Sequence, residues 1–301
     1  MPLRHDIRRG VLLMLAACAI FTLMGAVVKA LDGRMPVAEI MFFRSALAVP
    51  VVLLVVARAR PGCSMVEALR TKRLPAHFLR ACTGTSAQAC AFFALALLPL
   101  AEHTALTNTT PIFVTLLSIP FLGEKVGIHR AGAVLVGFLG IMVIALGQGA
   151  FGGALDGAAQ LGIAVAVAHG IFSAGTTMLV RTLSATEAST TITLWQSVLM
   201  TAFAGVVLPF VWVTPTWTEL GLLILIGLMG GAAQVMLTEA WASAQVSALA
   251  PYSYSSLLWA ILFGWIAFGD VPGLLTIAGA ALIVAASLYI LHRELRRRRT
   301  E

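Results

Sequence analysis

Gly84-Thr85-Ser86-Ala87-Gln88 returns as Gly230-Gly231-Ala232-Ala233-Gln234. Held in that register without a gap, Ala94 falls on Ala240, Ala96 on Ala242, Thr107 on Ser253, Thr109 on Ser255, Phe113 on Trp259 and Leu116 on Leu262. The match closes with Gly123-Glu124 on Gly269-Asp270. Upstream the copies agree more loosely: Ile20-Phe21-Thr22 pairs with Ile171-Phe172-Ser173, and Phe43-Arg44-Ser45 with Trp195-Gln196-Ser197. The second half of the chain therefore repeats the first. Two copies that each hold an odd number of membrane spans cross the bilayer in opposite senses. That is the plan of secondary transporters, with the substrate site between the halves near the midplane.

Composition places the chain in a membrane. Of 301 residues, 59% are hydrophobic and only 11% are charged, and the mean hydropathy is +0.95. A soluble domain carries roughly 25% charged residues, so too few are present to cover a water-facing surface. The apolar runs approach the roughly 20 residues that span a bilayer as a helix. Runs of this length favour helices over the short alternating strands of an outer-membrane barrel. Residues 1–30 mimic a signal peptide, with Arg8-Arg9 before an apolar run, but the run from Val11 to Ala30 is too long for one and reads as the first span.

Breakers such as Pro36, Pro61-Gly62, Pro99, Gly123-Glu124, the glycine-rich stretch Gly147 to Gly157, Pro215 and Asp270-Val271-Pro272 divide the chain. They predict ten spans, near 11–30, 37–57, 76–98, 102–121, 128–147, 159–180, 189–211, 219–241, 244–267 and 273–291. The expected fold is an all-α integral membrane protein of ten transmembrane helices in two inverted five-helix repeats, 1–147 and 159–291. The repeats make one domain over 1–301, with a basic tail at 292–301.

The net charge of +7 is distributed by loop. Basic residues cluster at Arg4, Arg8 and Arg9; at Arg58, Arg60, Arg70, Lys72 and Arg73; at Lys125 and Arg130; at Arg181; and in the tail from Arg293 to Arg299. These are alternate connections of one bundle, and the stretches 148–158 and 212–218 contain no Lys or Arg. The positive-inside rule accounts for that pattern with both termini in the cytoplasm and without a nucleic-acid partner. The tail is also suited to anionic lipid. Cys18, Cys63, Cys82 and Cys90 show neither metal spacing nor a disulfide framework and read as small core residues. No cofactor is expected.

Phe42-Phe43-Arg44-Ser45, the segment Ala96-Leu97-Leu98-Pro99-Leu100-Ala101 running through Pro111-Ile112-Phe113-Val114-Thr115-Leu116-Leu117 to Gly123-Glu124, and Ala250-Pro251-Tyr252-Ser253-Tyr254-Ser255-Ser256-Leu257-Leu258-Trp259 carry a resemblance. The chain resembles the drug/metabolite transporter superfamily in its bacterial EamA-domain branch, over nearly its whole length. The resemblance implies ten helices, inverted five-helix repeats, an inner-membrane location and movement of small metabolites. Many members export amino acids, and others take up riboflavin or S-adenosylmethionine. In similar sequences the position of Ser253 is often acidic; here it is a hydroxyl, which puts proton coupling through that position in doubt.

Depth ranks the candidate site residues, because a charged side chain at a helix centre costs roughly 2.5–3.5 kcal/mol on insertion scales. His169 lies mid-span among Ala and Val, as a cavity-facing hydrogen-bonding group or as a structural histidine on a carbonyl. Gln88 and Gln234 are repeat mates behind runs of small residues, where an amide bonds across a close helix contact or binds substrate. Asn108 precedes Pro111 among threonines, and Tyr254 follows Pro251 among serines. Two mirrored polar segments interrupted by proline point to a transporter site, the alternative being kinks alone. Thr22 and Ser173 are loose repeat mates in the first and sixth spans. Arg44 either attracts a substrate carboxylate or pairs with Glu39 or a carbonyl. Glu239, whose mate is Phe93, either binds a cation or reaches interfacial water. Phe92, Tyr252 and Trp195 offer aromatic surface to substrate or lipid. Trp212 and Trp217 read as interface anchors, and Glu124 and Asp270 as turn residues.

No His-Glu-x-x-His, nucleophile elbow or P-loop occurs, so an enzyme is not expected. The expectation is a secondary transporter, monomeric or weakly dimeric, moving amino acids or similar small metabolites outward. An uptake carrier for a vitamin or nucleoside-like metabolite, such as riboflavin or S-adenosylmethionine, is the alternative.

Overall fold

The computed structural model describes residues 7–31, 33–59, 69–122, 128–147, 157–183, 186–243 and 252–298. Among these residues the secondary structure is helical, in eleven segments. They are α1 (Ile7–Ala30), α2 (Val37–Ala59), α3 (Leu74–Leu97), α4 (Leu100–Thr107), α5 (Thr110–Leu122), α6 (Ile128–Gly147), α7 (Gly157–Leu183), α8 (Ser189–Val211), α9 (Trp217–Ser243), α10 (Ser255–Phe268) and α11 (Leu274–Arg298). Pro61-Gly62, Cys63, Glu124, the stretch 148–156, Pro251 and the tail beyond residue 298 lie outside the described residues.

Local chemistry sets the boundaries. Pro75 opens α3 in the first turn, where its missing N–H is no loss. Leu98, preceding Pro99, is extended at φ −119° and ψ 152°, because the proline ring excludes the helical conformation before it. α3 therefore stops and α4 begins on a new axis. Gly269 closes α10 at φ +70°, a left-handed turn that a Cβ would strain. Its N–H and that of Asp270 satisfy the carbonyls of Trp265 and Gly264.

Five segments are long and apolar enough to cross a membrane: Arg8–Ala30, Val37–Val55, Gly157–Val180, Thr190–Val211 and Trp217–Leu237. Gly132–Gly147, Ser255–Phe268 and Leu274–Ile290 are shorter apolar helices. Two of the expected ten spans differ for physical reasons, and residues 244–251 of the expected ninth lie outside the described residues. The predicted fourth span is broken into α4 and α5, and α3 carries Arg80 and several small polar residues that lower its hydropathy.

The helices pair in a definite pattern. α3 packs along α7 and α9 along α1; α2 packs on α9 and α8 on α3. α2 also meets α8, α6 meets α11, and α1 meets α10 much as α7 meets α4 and α5. Small residues allow the closest of these approaches. A Cβ built on Gly279 of α11 would stand 2.6 Å from the Gly140 carbonyl oxygen of α6, and one on Gly140 would stand 2.8 Å from that of Gly279. The two largest of four apolar clusters among the described residues fill most of the bundle. One gathers α1, α2, α3, α8 and α9 around Met24, Met41, Leu95, Met200 and Leu223. The other gathers α3 to α7 and α11 around Leu106, Ile112, Ile144, Ala166 and Ile283.

Contacts between helix ends fall into two groups. At one end, rich in Arg and Lys, Arg9 pairs with Glu239 at 3.1 Å. There Arg73 donates to the Thr182 carbonyl, Thr71 donates to Glu187, and Trp195 donates to the Leu69 carbonyl. At the other end Lys29 pairs with Asp270 at 3.2 Å, Thr276 donates to Glu102, and the Val213 N–H donates to Glu39.

Candidate functional site

Between these two ends polar side chains make contacts across the boundary of the first and second halves of the chain. The break between α4 and α5 supplies one wall. Pro111 has no N–H, so the Thr107 carbonyl loses its helical donor. The Thr110 hydroxyl takes that carbonyl at 3.2 Å, Thr109 takes Leu106 O at 2.6 Å, and Thr107 takes His103 O at 2.9 Å. The threonine run thus satisfies the backbone it interrupts. Asn108 caps α4 and is left to point across the seam, where its Nδ2 donates to the Ser256 hydroxyl of α10 at 3.4 Å. Tyr254 stands at the start of α10 beside Ser287 of α11.

His169 joins α7 to α3 through Nδ1, 2.8 Å from the Ala87 carbonyl oxygen. A carbonyl accepts only, so Nδ1 carries the proton and Nε2 is the remaining acceptor. The loose register of Ile20-Phe21-Thr22 on Ile171-Phe172-Ser173 puts Cys18 on the position of His169. Cys18 makes a different link, Sγ to the Ser253 carbonyl at 3.5 Å, whereas the repeat mate of Ala87 is Ala233 on α9. His103 of α4 is half-buried with its ring nitrogens enclosed, beside Ala91 of α3 and within electrostatic reach of His169 and Lys29.

Arg44 and its repeat mate Gln196 occupy matching niches. A Cβ on Gly230 of α9 would stand 3.2 Å from Arg44 Cγ and 3.4 Å from its Nε. A Cβ on Gly84 of α3 would stand 3.5 Å from Gln196 Nε2. Gly84 and Gly230 are themselves mates, so the same glycine makes room for the same second-span position in each half. Arg44 Nη1 approaches Met200 Sδ at 4.0 Å, and its buried Nε meets no acceptor. Glu39 is turned instead to the Val213 N–H at 3.2 Å. The pairing of Arg44 with Glu39 that their spacing allowed is not made. Gln196 Oε1 receives Arg80 Nη2 at 2.7 Å, while Arg80 Nη1 donates to the Ile192 carbonyl at 3.2 Å.

The other predicted residues take more ordinary places. Thr22 donates to Cys18 O within its own helix, and Phe92 is packed in the apolar core. Trp195 lies at the basic end near the His77 ring. Glu239 is held by Arg9 at that same end, the two side chains 44% and 62% exposed. Tyr252 is exposed; Ser173, Gln88 and Gln234 are half-buried on α7, α3 and α9. Asp270, read from sequence as a turn residue, also binds Lys29. Together with Pro99, Glu102, Gly264 and Pro272 it lines a pocket of about 220 Å³ at the end opposite the basic one. Arg80 and His103 were missed. Each follows a proline-marked span start in company with another titratable group, Arg80 after His77 and His103 after Glu102. Proximity to a span start reads by default as a side chain reaching for water.

The EamA-like transporter family model matches residues 8–146 and again residues 160–292. The chain belongs to the EamA-like transporter family. It is a multi-pass membrane protein and a transporter rather than an enzyme. It is 31% identical to the pseudopaline exporter CntI of Pseudomonas aeruginosa over 94% of this chain and 96% of that protein. It is 36% identical to a riboflavin transporter of Rhizobium johnstonii over 68% of this chain and 66% of that protein. A solved crystal structure superposes with a TM-score of 0.64 at 17% identity, covering 93% of this chain and 96% of that one, which supports the fold alone. These transporters handle different compounds, so family membership leaves the cargo to be argued from the side chains.

Proposed function

We propose that this EamA-family transporter exports small carboxylate-bearing metabolites, amino acids being the simplest of them, across the bacterial inner membrane by alternating access. The observation that carries the reading is Arg44. A guanidinium within a membrane span costs roughly 2.5–3.5 kcal/mol on insertion scales, and here its Nε is buried without an acceptor. A substrate carboxylate arriving in the seam supplies the missing counter-charge, and Arg presents a planar fork suited to it. Asn108, Ser256 and the Nε2 side of His169 offer neutral hydrogen bonds for the rest of the polar end.

The architecture we infer is ten spans in two inverted five-helix repeats, 1–147 and 159–291, forming one domain with both termini in the cytoplasm. The exchange pattern of helix contacts supports it. Swapping the halves turns the α3–α7 contact into α9–α1, and α2–α9 into α8–α3, and leaves α2–α8 and α6–α11 unchanged. Rocking of one half on the other would expose the seam to each face in turn. Outward direction is supported by the full-length likeness to an exporter.

The deciding experiment is counterflow in proteoliposomes with the purified full-length chain and labelled amino acids. The expected result is saturable exchange that falls about tenfold or more in Arg44→Gln while the variant remains folded. Absence of exchange with every amino acid tested would remove the reading. The second reading, uptake of a vitamin such as riboflavin, is favoured by the 36% identity to a riboflavin transporter. Rescue of a riboflavin auxotroph would select it, whereas an exporter raises tolerance to a toxic analogue.

A further inference from the structure

We infer that the seam binds a substrate with two acidic groups, one held by Arg44 and one by Arg80. This rests on the carboxylate reading above and narrows it from monoacids to diacids. Both arginines converge on α8. Arg44 reaches Met200, and Arg80 reaches Gln196 and the Ile192 carbonyl. Gln196 and Met200 are one turn apart on the same face, about 6 Å along the axis. Each guanidinium keeps a buried Nε with no acceptor, and neither meets a carboxylate among the described residues. Every acceptor they touch is neutral: a thioether, an amide and a carbonyl.

Two cations within the bundle with no carboxylate bonded to them among the described residues is an incomplete electrostatic arrangement. Glu39, on the helix of Arg44, is engaged by the Val213 N–H, and Glu187, just before α8, by the Thr71 hydroxyl. The symmetry sharpens the point. In the first half Arg44 itself fills the niche opposite Gly230, whereas in the second half the niche opposite Gly84 holds the neutral Gln196. Arg80 has no arginine mate; the matching position is Ile226. Its bond to the Gln196 amide restores a positive charge where the duplication alone would leave none. Arg80 remains buried at 7% exposure, while Arg44 keeps part of its surface accessible. Arg44 is therefore the group met first. Arg80 is already aimed by two bonds and needs only to turn its remaining donors to a second acid.

The test uses the wild-type chain in proteoliposomes. L-aspartate, L-glutamate, L-2-aminoadipate and L-2-aminopimelate are each compared with the matching side-chain amide, as competitors and as counterflow substrates. The expected result is at least one diacid preferred over its amide by about tenfold. That preference should be lost in Arg44→Gln and in Arg80→Gln, and partly kept in Arg44→Lys and Arg80→Lys. A purely structural Arg80 would change total flux without changing the diacid-to-amide ratio. If every amide equals its diacid in the wild type, the inference is overturned, and this comparison depends on no variant folding. A preference that survives both glutamine substitutions overturns it too. Monoacid exchange without diacid preference leaves the broader function standing; no exchange of any probe removes both.

Discussion

His169 is fixed by one hydrogen bond, Nδ1 to the Ala87 carbonyl at 2.8 Å, and this allows its two roles to be separated. Asparagine places an amide donor near the Nδ1 position but has nothing at Nε2. His169→Asn should therefore keep the α3–α7 link and most of the melting temperature in detergent, while transport falls. His169→Leu removes the donor as well; the Ala87 carbonyl, inside α3, keeps its helical donor, so the loss is that of one hydrogen bond, about 0.5–1.5 kcal/mol, and both should fall. Equal transport by the asparagine variant and wild type would make His169 structural only. Depth alone singled out His169 as a candidate, because a histidine surrounded by Ala and Val has nowhere to shed its polarity. Arg44 was legible for the same reason, although the absence of a partner was not, since Glu39 five residues earlier suggested one. Arg80 was the opposite case. Its position near a span start implied a side chain directed to water, and only the packing of α8 over it shows that it turns inward to Gln196.

Between elements, the decisive contact is the crossing of α6 and α11. The Cβ that Gly140 or Gly279 lacks would stand under 3 Å from backbone oxygen of the other helix. A backbone carbonyl is unable to yield as a flexible side chain does, so the helices must separate. Gly140→Val and Gly279→Val should each destabilise the protein by about 1–3 kcal/mol or more, as overpacked contacts do. Gly132→Ala, on the same helix with open space around it, should be nearly neutral. Thermal unfolding in detergent followed by fluorescence size-exclusion separates these outcomes; equal melting of Gly140→Val and Gly132→Ala would contradict the crossing. Sequence showed that these glycines exist but not which neighbour each one faces. Helix breaks were easier to read. Pro99 and Pro111 dictate the interruptions around α4 and α5 through sterics that act within a few residues, whereas helix partners depend on the whole bundle.

Across the whole molecule, α1 is tied at both ends to the second half of the chain. Lys29 binds Asp270 and the Leu98 carbonyl and lies 5.1 Å from the centroid of the Phe268 ring at one end. Arg9 binds Glu239 at the other. The two pairs differ in surroundings. The Lys29 and Asp270 side chains are 21% and 36% exposed, against 62% and 44% for Arg9 and Glu239. An exposed pair contributes little, at most about 1 kcal/mol. The more enclosed pair is less screened and carries the additional carbonyl and ring contacts. The structure is therefore latched at the Lys29 end and only lightly held at the basic end. Asp270→Asn should loosen the latch by about 1 kcal/mol, roughly a fivefold shift in population. Glu239→Gln should shift it little. A cysteine at Ala260, fully buried on the wall of the pocket beside Asp270, reports the change. In detergent its maleimide labelling should accelerate about fivefold with Asp270→Asn, after subtraction of the native cysteines measured in the parent chain. An unchanged labelling rate would mean that Lys29 and Asp270 join two helix ends without gating the seam between them.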